Sequence, residues 1–135
     1  MNIDDARKNM VDCQIKTWDV FDLDVLDAFE KVKRENFVPS GYHELAFADI
    51  NLDLGDSQKM MSPKVEARIL QALALRKEDK VLEIGSGSGH MTALLAVLSK
   101  DVISFECRKN LYETARSNLK KAAIDNVEVY HGDGL

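Results

Sequence analysis

The stretch Val81-Leu82-Glu83-Ile84-Gly85-Ser86-Gly87-Ser88-Gly89 constrains this chain more than any other part of it. A short apolar run reads as a buried strand, three alternate glycines follow it directly, and the apolar run Met91–Leu98 begins just beyond. In such a turn the backbone can approach a ligand closely, because glycine has no Cβ and the helix start offers unpaired N–H groups. The neighbouring pattern agrees. β-rich runs at Lys80–Ile84, Val102–Glu106 and Val127–Tyr130 alternate with helical stretches at Met91–Leu98 and Asn110–Ala122, the second with Leu111, Ala115, Leu119 and Ala122 on one face. Strand, helix, strand, helix, strand predicts an α/β fold on a parallel sheet with right-handed crossovers.

Upstream, Ile3, Ala6, Met10 and Cys13 fall at helical spacing, which predicts a helix over 3–16 capped by Asn2 or Asp4. A second helix is expected over Leu23–Lys33, capped by Asp22, with Leu23, Leu26, Phe29 and Val32 on one face. Phe37-Val38-Pro39 ends that unit, since a residue before proline is pushed toward extended geometry. Residues 40–62 carry no sustained period; Ile50, Leu52 and Leu54 permit a brief strand, and Gly55-Asp56-Ser57 turns the chain. Long loops of this kind in compact domains are often functional. Ser62 reads as the cap of a helix starting at Pro63, with Val65, Ile69, Leu70 and Leu73 as its buried face. The expectation is one domain in two parts, 1–62 helical and loop-rich, 63–135 strand and helix alternating.

Spacing separates the candidate ligands. A dinucleotide fingerprint needs G-x-G-x-x-G, and a phosphate loop needs Gly-Lys-Ser or Gly-Lys-Thr; neither is present. Glu106 closes the second strand, 17 residues beyond Gly89, where a carboxylate can accept both ribose hydroxyls of an adenosine. The third strand runs into His131-Gly132-Asp133-Gly134, an acid between flexible residues that can reach an adenine amino group. Each feature has a plainer reading, as a tight turn, a helix-capping acid and a turn residue. Their coincidence at three successive strand ends points to one adenosyl ligand outside the carboxyl edge of the sheet. Glu83 either faces such a ligand or only closes its strand, Ser86 and Ser88 either supply hydroxyls or are solvated, and Cys107 matters as the neighbour of Glu106. His90 reads as a surface residue at a helix start.

Charge excludes some partners. Eighteen basic against twenty-three acidic residues give a net charge of -5, which argues against nucleic acid and anionic membrane. No apolar run is long enough to cross a bilayer and no secretory stretch opens the chain, so a cytoplasmic location is expected. Cys13 and Cys107 lie 94 residues apart without a CxxC partner, so neither a metal site nor a disulfide is expected.

The E-x-G-x-G-x-G form from Glu83 to Gly89 resembles motif I of class I S-adenosyl-L-methionine-dependent methyltransferases. Together with Asn36-Phe37-Val38-Pro39, the loop to Gly55, Gln58 and Pro63, then Ala67-Arg68 and His131-Gly132-Asp133-Gly134, it resembles the protein-L-isoaspartate O-methyltransferase family over nearly the whole chain. The resemblance implies N-terminal helices followed by the first βαβαβ half of a Rossmann-like class I methyltransferase sheet. It implies S-adenosyl-L-methionine as cofactor and S-adenosyl-L-homocysteine as product, held by Glu83, Gly85, Ser86, Gly87, Ser88, Gly89, Glu106, Cys107, Asp133 and Gly134. The acceptor it implies is a carboxylate of a peptide or protein, already ionised at neutral pH and so in no need of a general base. The sequence offers no convincing base.

One departure stands out. The family carries Gly-Gln-Thr-Ile-Ser before a residue and a proline, and its serine helps hold the isoaspartyl carboxylate; here the stretch is Ser57-Gln58-Lys59-Met60-Met61-Ser62-Pro63. Met61 falls at the serine position, Lys59 at the threonine, and Ser62 one place late. A thioether donates no hydrogen bond. Met61 and Ser62 are thus the acceptor-side candidates, and the alternative is an impaired S-adenosyl-L-methionine-binding module or an enzyme with another acceptor. The class has a seven-stranded sheet ordered 3-2-1-4-5-7-6, whose first three strands precede Leu135. An open apolar edge is the consequence, so a fragment, or a homodimer paired through that edge, is expected.

Overall fold

The computed structural model describes residues 2–134; Met1 and Leu135, the ends of the two predicted parts, lie outside the described residues. Helix α1 spans Ile3–Met10, and Asn2 caps it by accepting the Asp5 N–H at 2.8 Å. The single helix expected over 3–16 instead widens and then tightens, passing through a π-helical stretch at Val11–Ile15 and a 3₁₀ turn at Lys16–Trp18. Cys13 is exposed there, while Met10, Val11 and Ile15 enter the core.

Helix α2 spans Leu23–Lys31, capped by Asp22, whose side chain accepts the N–H groups of Asp24 and Val25. Its buried face is Val25, Ala28 and Phe29, with Val32 just beyond; Leu23, expected on that face, is 79% exposed. Strand β1, Leu52–Gly55, pairs antiparallel with β2, Gln58–Met60, through a tight turn in which Gly55, Asp56 and Ser57 all have positive φ. The sequence marked the turn but not β2, because Gln-Lys-Met has no apolar alternation.

Helix α3, Pro63–Leu73, carries Pro63 at its first turn. Ser62 stands at the cap position, but its hydroxyl makes no capping hydrogen bond; its N–H instead donates to Asn51 Oδ1 at 3.0 Å. The buried face is also rotated from the expected one. Pro63, Glu66, Ala67 and Leu70 point inward, while Ile69 and Leu73 are partly exposed. The cause is Glu66, turned inward to meet Arg34 and His90. Removing an ionised carboxylate from water requires such partners, and satisfying them outweighs a wholly apolar stripe.

Three strands, β3 Lys80–Ile84, β4 Asp101–Glu106 and β5 Val127–His131, form a parallel sheet in the order β3-β4-β5. They are linked by α4, His90–Leu98, and α5, Lys109–Lys121, within a residue or so of the predicted limits. The register sets Ile84 beside Phe105 and Glu106 beside His131, so the three strands end at one rim. Alternation then sorts the side chains. Val102, Ser104 and Glu106 are buried on the face that α4 and α5 cover, while Leu82, Ile84, Ile103 and Tyr130 are exposed on the other. One hydrophobic cluster runs from Met10 through Phe29, Phe37, Leu52 and Leu70 to Leu94, Val102 and Leu119. No helix among the described residues is long and apolar enough to cross a membrane.

Candidate functional site

The rim where β3, β4 and β5 end gathers the predicted groups. Beyond β3 the Gly85 N–H donates to the Phe105 carbonyl at 2.7 Å, and beyond β5 the Gly132 N–H donates to the Glu106 carbonyl at 3.0 Å. These bonds continue the ladder past the strand ends and hold the glycine turn, Glu106 and the Asp133 segment along one edge. Glu106 is buried, accepting the Gly87 N–H and the Arg108 N–H, one on each oxygen, both at 3.0 Å. A carboxylate has about four lone-pair sites, so two remain. Asp133 and Cys107 are exposed; the Cys107 sulfur accepts from Arg108 at 3.4 Å.

The glycines divide by what surrounds them. Gly85, at φ +95, has nothing within 4 Å of where a Cβ would stand. Gly87 faces Leu54 of the β1–β2 hairpin. Gly89, at φ +92, is the cap of α4, and its missing Cβ makes room for the Ala115 backbone of α5 at 3.4 Å. Gly134 is pressed against Ile84 and Phe105. Gly85 is thus the glycine with open space above it, while Gly89 serves helix-to-helix approach.

The serines of the turn are not solvated. Ser86 and Ser104 hydroxyls meet at 2.5 Å, and Ser88 is buried with its carbonyl accepting from Asn118 at 2.9 Å. Glu83 lies on the covered face, where one oxygen accepts from Thr92 and from Ser104, the latter at 2.7 Å. Burial pushes its carboxyl above the ordinary value, and those two hydroxyls oppose the shift.

His90 is a correction to the sequence reading. It is 1% exposed, packed edge-on against Phe29 and Phe37, with Nδ1 2.9 Å from Glu66 Oε2. Burial lowers its pKa, so the ring is neutral; Nδ1–H donates to Glu66, and Nε2 has no partner. Arg34 completes the cluster: its guanidinium meets Glu66, its Nε donates to the Ala46 carbonyl at 2.7 Å, and NH2 donates to the Met61 carbonyl at 2.8 Å. Sequence reasoning missed Arg34 and Glu66, since a charge inside Lys33-Arg34-Glu35 or on a helix normally marks a solvated face.

Between the hairpin and the glycine turn lies a cavity of about 90 Å³, walled by Leu54, Met60, Met61, Glu83, Gly85 and His90 among others. Met61 therefore faces the glycine turn. Ser62 is buried at the start of α3 and does not line that cavity. Phe37, Val38 and Pro39 border a neighbouring groove with Leu54 and Ser88, which brings the upstream element to the same turn.

A glycine turn that opens a helix, with an acid at the next parallel strand end, defines the first half of a Rossmann-like α/β fold of the class I methyltransferase kind. The family model for protein-L-isoaspartate(D-aspartate) O-methyltransferase matches residues 5–135, and the chain belongs to that family. A Methanoculleus marisnigri protein-L-isoaspartate O-methyltransferase is 39% identical over 95% of this chain. Among solved structures, a protein-L-isoaspartate O-methyltransferase superposes with a TM-score of 0.83 at 28% identity, covering 95% of this chain and 42% of its own. A Plasmodium falciparum structure of the same type, solved with S-adenosyl-L-homocysteine, gives 0.78 at 22% identity over 98% of this chain and 63% of its own, a likeness of fold. The chain spans 58% of the length of the Methanoculleus relative.

Proposed function

We propose that the protein carrying this chain is an S-adenosyl-L-methionine-dependent methyltransferase that methylates a carboxylate of a peptide or protein, of the isoaspartyl-repair type. In this reading residues 63–135 hold the cofactor and 1–62 form the acceptor side. The observation that carries it is the shared rim: an open glycine at Gly85, the Glu106 carboxylate, and Asp133 at three successive strand ends. The cradle suits the group, since a Cβ at Gly85 would occupy the space a ligand needs and Glu106 keeps lone pairs for hydroxyl donors. The remaining cofactor positions in the reading are Glu83, Ser86, Gly87, Ser88, Gly89, Cys107 and Gly134, of which Gly89 and Gly134 act by packing.

When bound, the cofactor supplies an electrophilic methyl group on a sulfonium. The chain's part is to hold and to exclude water. Glu106 orients the ribose end, Gly85 leaves the space beside the turn open, and Leu54, Met60 and Met61 wall the adjoining cavity. A carboxylate acceptor arrives ionised, so the proton on His90 Nδ1 stays where it is, donated to Glu66.

Calorimetry with S-adenosyl-L-homocysteine tests the cofactor reading. Glu106→Gln is expected to weaken binding about tenfold, the scale of a lost charge-assisted hydrogen bond. No heat from the wild-type chain and from the full-length protein would end this reading. Methyl transfer to an isoaspartyl peptide by the full-length protein then divides repair from a changed acceptor, the alternative that Met61 at the family serine position raises. A cytoplasmic location belongs to the same reading, and the net charge of -5 supports a protein substrate over nucleic acid. We also propose pairing of two copies through the edge of β3, supported by its place at the end of the strand order, where its outer backbone groups have no strand partner among the described residues. Light scattering at micromolar concentration is expected to give a dimer mass for this chain; a folded monomer would remove the proposal.

A further inference from the structure

We infer that Arg34 is a positioning residue that sets the gap between the acceptor-side loop and the glycine turn, by tying the Met61 backbone to the buried Glu66–His90 pair. The inference rests on the proposed function for its consequence but not for its geometry. Met61, just after the hairpin, and His90, the first residue of α4 after Gly89, both line the cavity. Arg34 touches both sides at once: NH2 holds the Met61 carbonyl at 2.8 Å, while NH1 lies 3.2 Å from His90 Nδ1 and pairs with Glu66. Its Nε takes the Ala46 carbonyl at 2.7 Å and so anchors the upstream end of the same loop. One planar fork thereby fixes two loop carbonyls relative to a buried carboxylate.

Rigidity follows from burial. Arg34, Glu66 and His90 are 1%, 2% and 1% exposed, so the ion pair and the Ala46 contact are closed to water, and the fork carries that rigidity to the half-buried Met61 carbonyl. The cavity is only about 90 Å³, and a shift of Met61 by a fraction of its own width changes what fits beside the turn. A misplacement on the order of 1 Å can cost about a hundredfold in rate when reacting groups must be aligned.

Lysine separates position from charge. In Arg34→Lys the ammonium keeps the ion pair with Glu66 but lacks the fork that reaches both carbonyls. With methionine methyls labelled with carbon-13, the wild-type Met61 signal is expected to be dispersed. In Arg34→Lys it should move toward the random-coil position, while the signal of core Met10 stays. Calorimetry on the same variant is expected to give about tenfold weaker S-adenosyl-L-homocysteine binding. Glu66→Gln keeps both carbonyl contacts and serves if the lysine variant does not fold; it should leave Met61 dispersed with binding weakened by about threefold. An unmoved Met61 signal together with unchanged affinity in folded Arg34→Lys overturns the inference, as does a random-coil Met61 signal in folded Glu66→Gln. Failure of the wild-type chain and full-length protein to bind the nucleoside rejects the cofactor reading instead, and leaves the Met61 signals to decide the positioning role.

Discussion

Replacing Gly89 with valine is expected to destabilise the chain by about 3 kcal/mol, the sum of a left-handed backbone and an overpacked contact. Gly89 has φ +92, a region where a β-branched side chain is strained. A Cβ there would already touch the Ala115 Cα and carbonyl and the Leu119 Cγ at 3.4 Å, and valine adds two methyl groups directed into that contact. Because two of the three neighbours are backbone, α5 must move as a unit to relieve the overlap. Gly85→Ala is the matched control. Its φ of +95 carries the conformational cost alone, since nothing lies within 4 Å, and about 1 to 2 kcal/mol is expected. Urea unfolding of both variants against wild type measures the difference. Equal losses in the two would show that α4 and α5 do not depend on that close approach.

Glu66→Leu is expected to cost about 3 to 5 kcal/mol, a large share of the stability of a small domain. It leaves the Arg34 guanidinium buried at 1% exposure with two carbonyls and no counter-charge, and it leaves His90 Nδ1 without its acceptor. Adding Arg34→Met should not rescue it, although buried ion pairs are often replaceable by apolar residues. The reason is particular to this site: the Ala46 and Met61 carbonyls would then lose their donor. Thermal unfolding of the single and double variants tests this, and a double variant as stable as wild type would contradict it. The same cluster sets a pH dependence. His90 has a pKa lowered by burial from 6.5, so below that value the unfolded chain takes up a proton that the folded chain refuses. Its contribution to stability is therefore complete above the ordinary imidazole range and is lost as pH falls through it. Glu83 acts with the opposite sign, because its raised pKa makes the folded form the better proton binder above 4.5. Unfolding of wild type and His90→Phe between mildly acidic and neutral pH separates the two; equal slopes would mean that His90 does not titrate on unfolding.

Much of the architecture of residues 63–135 was legible because it rests on local rules. The limits of β3, α4, β4, α5 and β5 shifted by a residue or so at most, since period and glycine punctuation act over a few residues. The asymmetry among the glycines was not legible. Gly85 and Gly89 share a left-handed φ, yet one faces open space and the other a helix 26 residues further along. The face of α3 was misjudged because Glu66 turns inward, so Ile69 and Leu73 lost their expected burial; His90 is buried where a surface residue was expected, and Leu23 of α2 is exposed.

The sequence by itself determined the order of elements, the turn with its three glycines, the acids that follow the strands, and Met61 where the family has serine. Only the tertiary structure decided that Arg34, Glu66 and His90 form one buried cluster, that Ser62 does not cap α3, and that Met61 faces the glycine turn. The physical reason is range. Backbone propensity and side-chain period are set by neighbours in sequence, whereas Arg34 meets partners 32 and 56 positions away, which become neighbours only once the chain has folded.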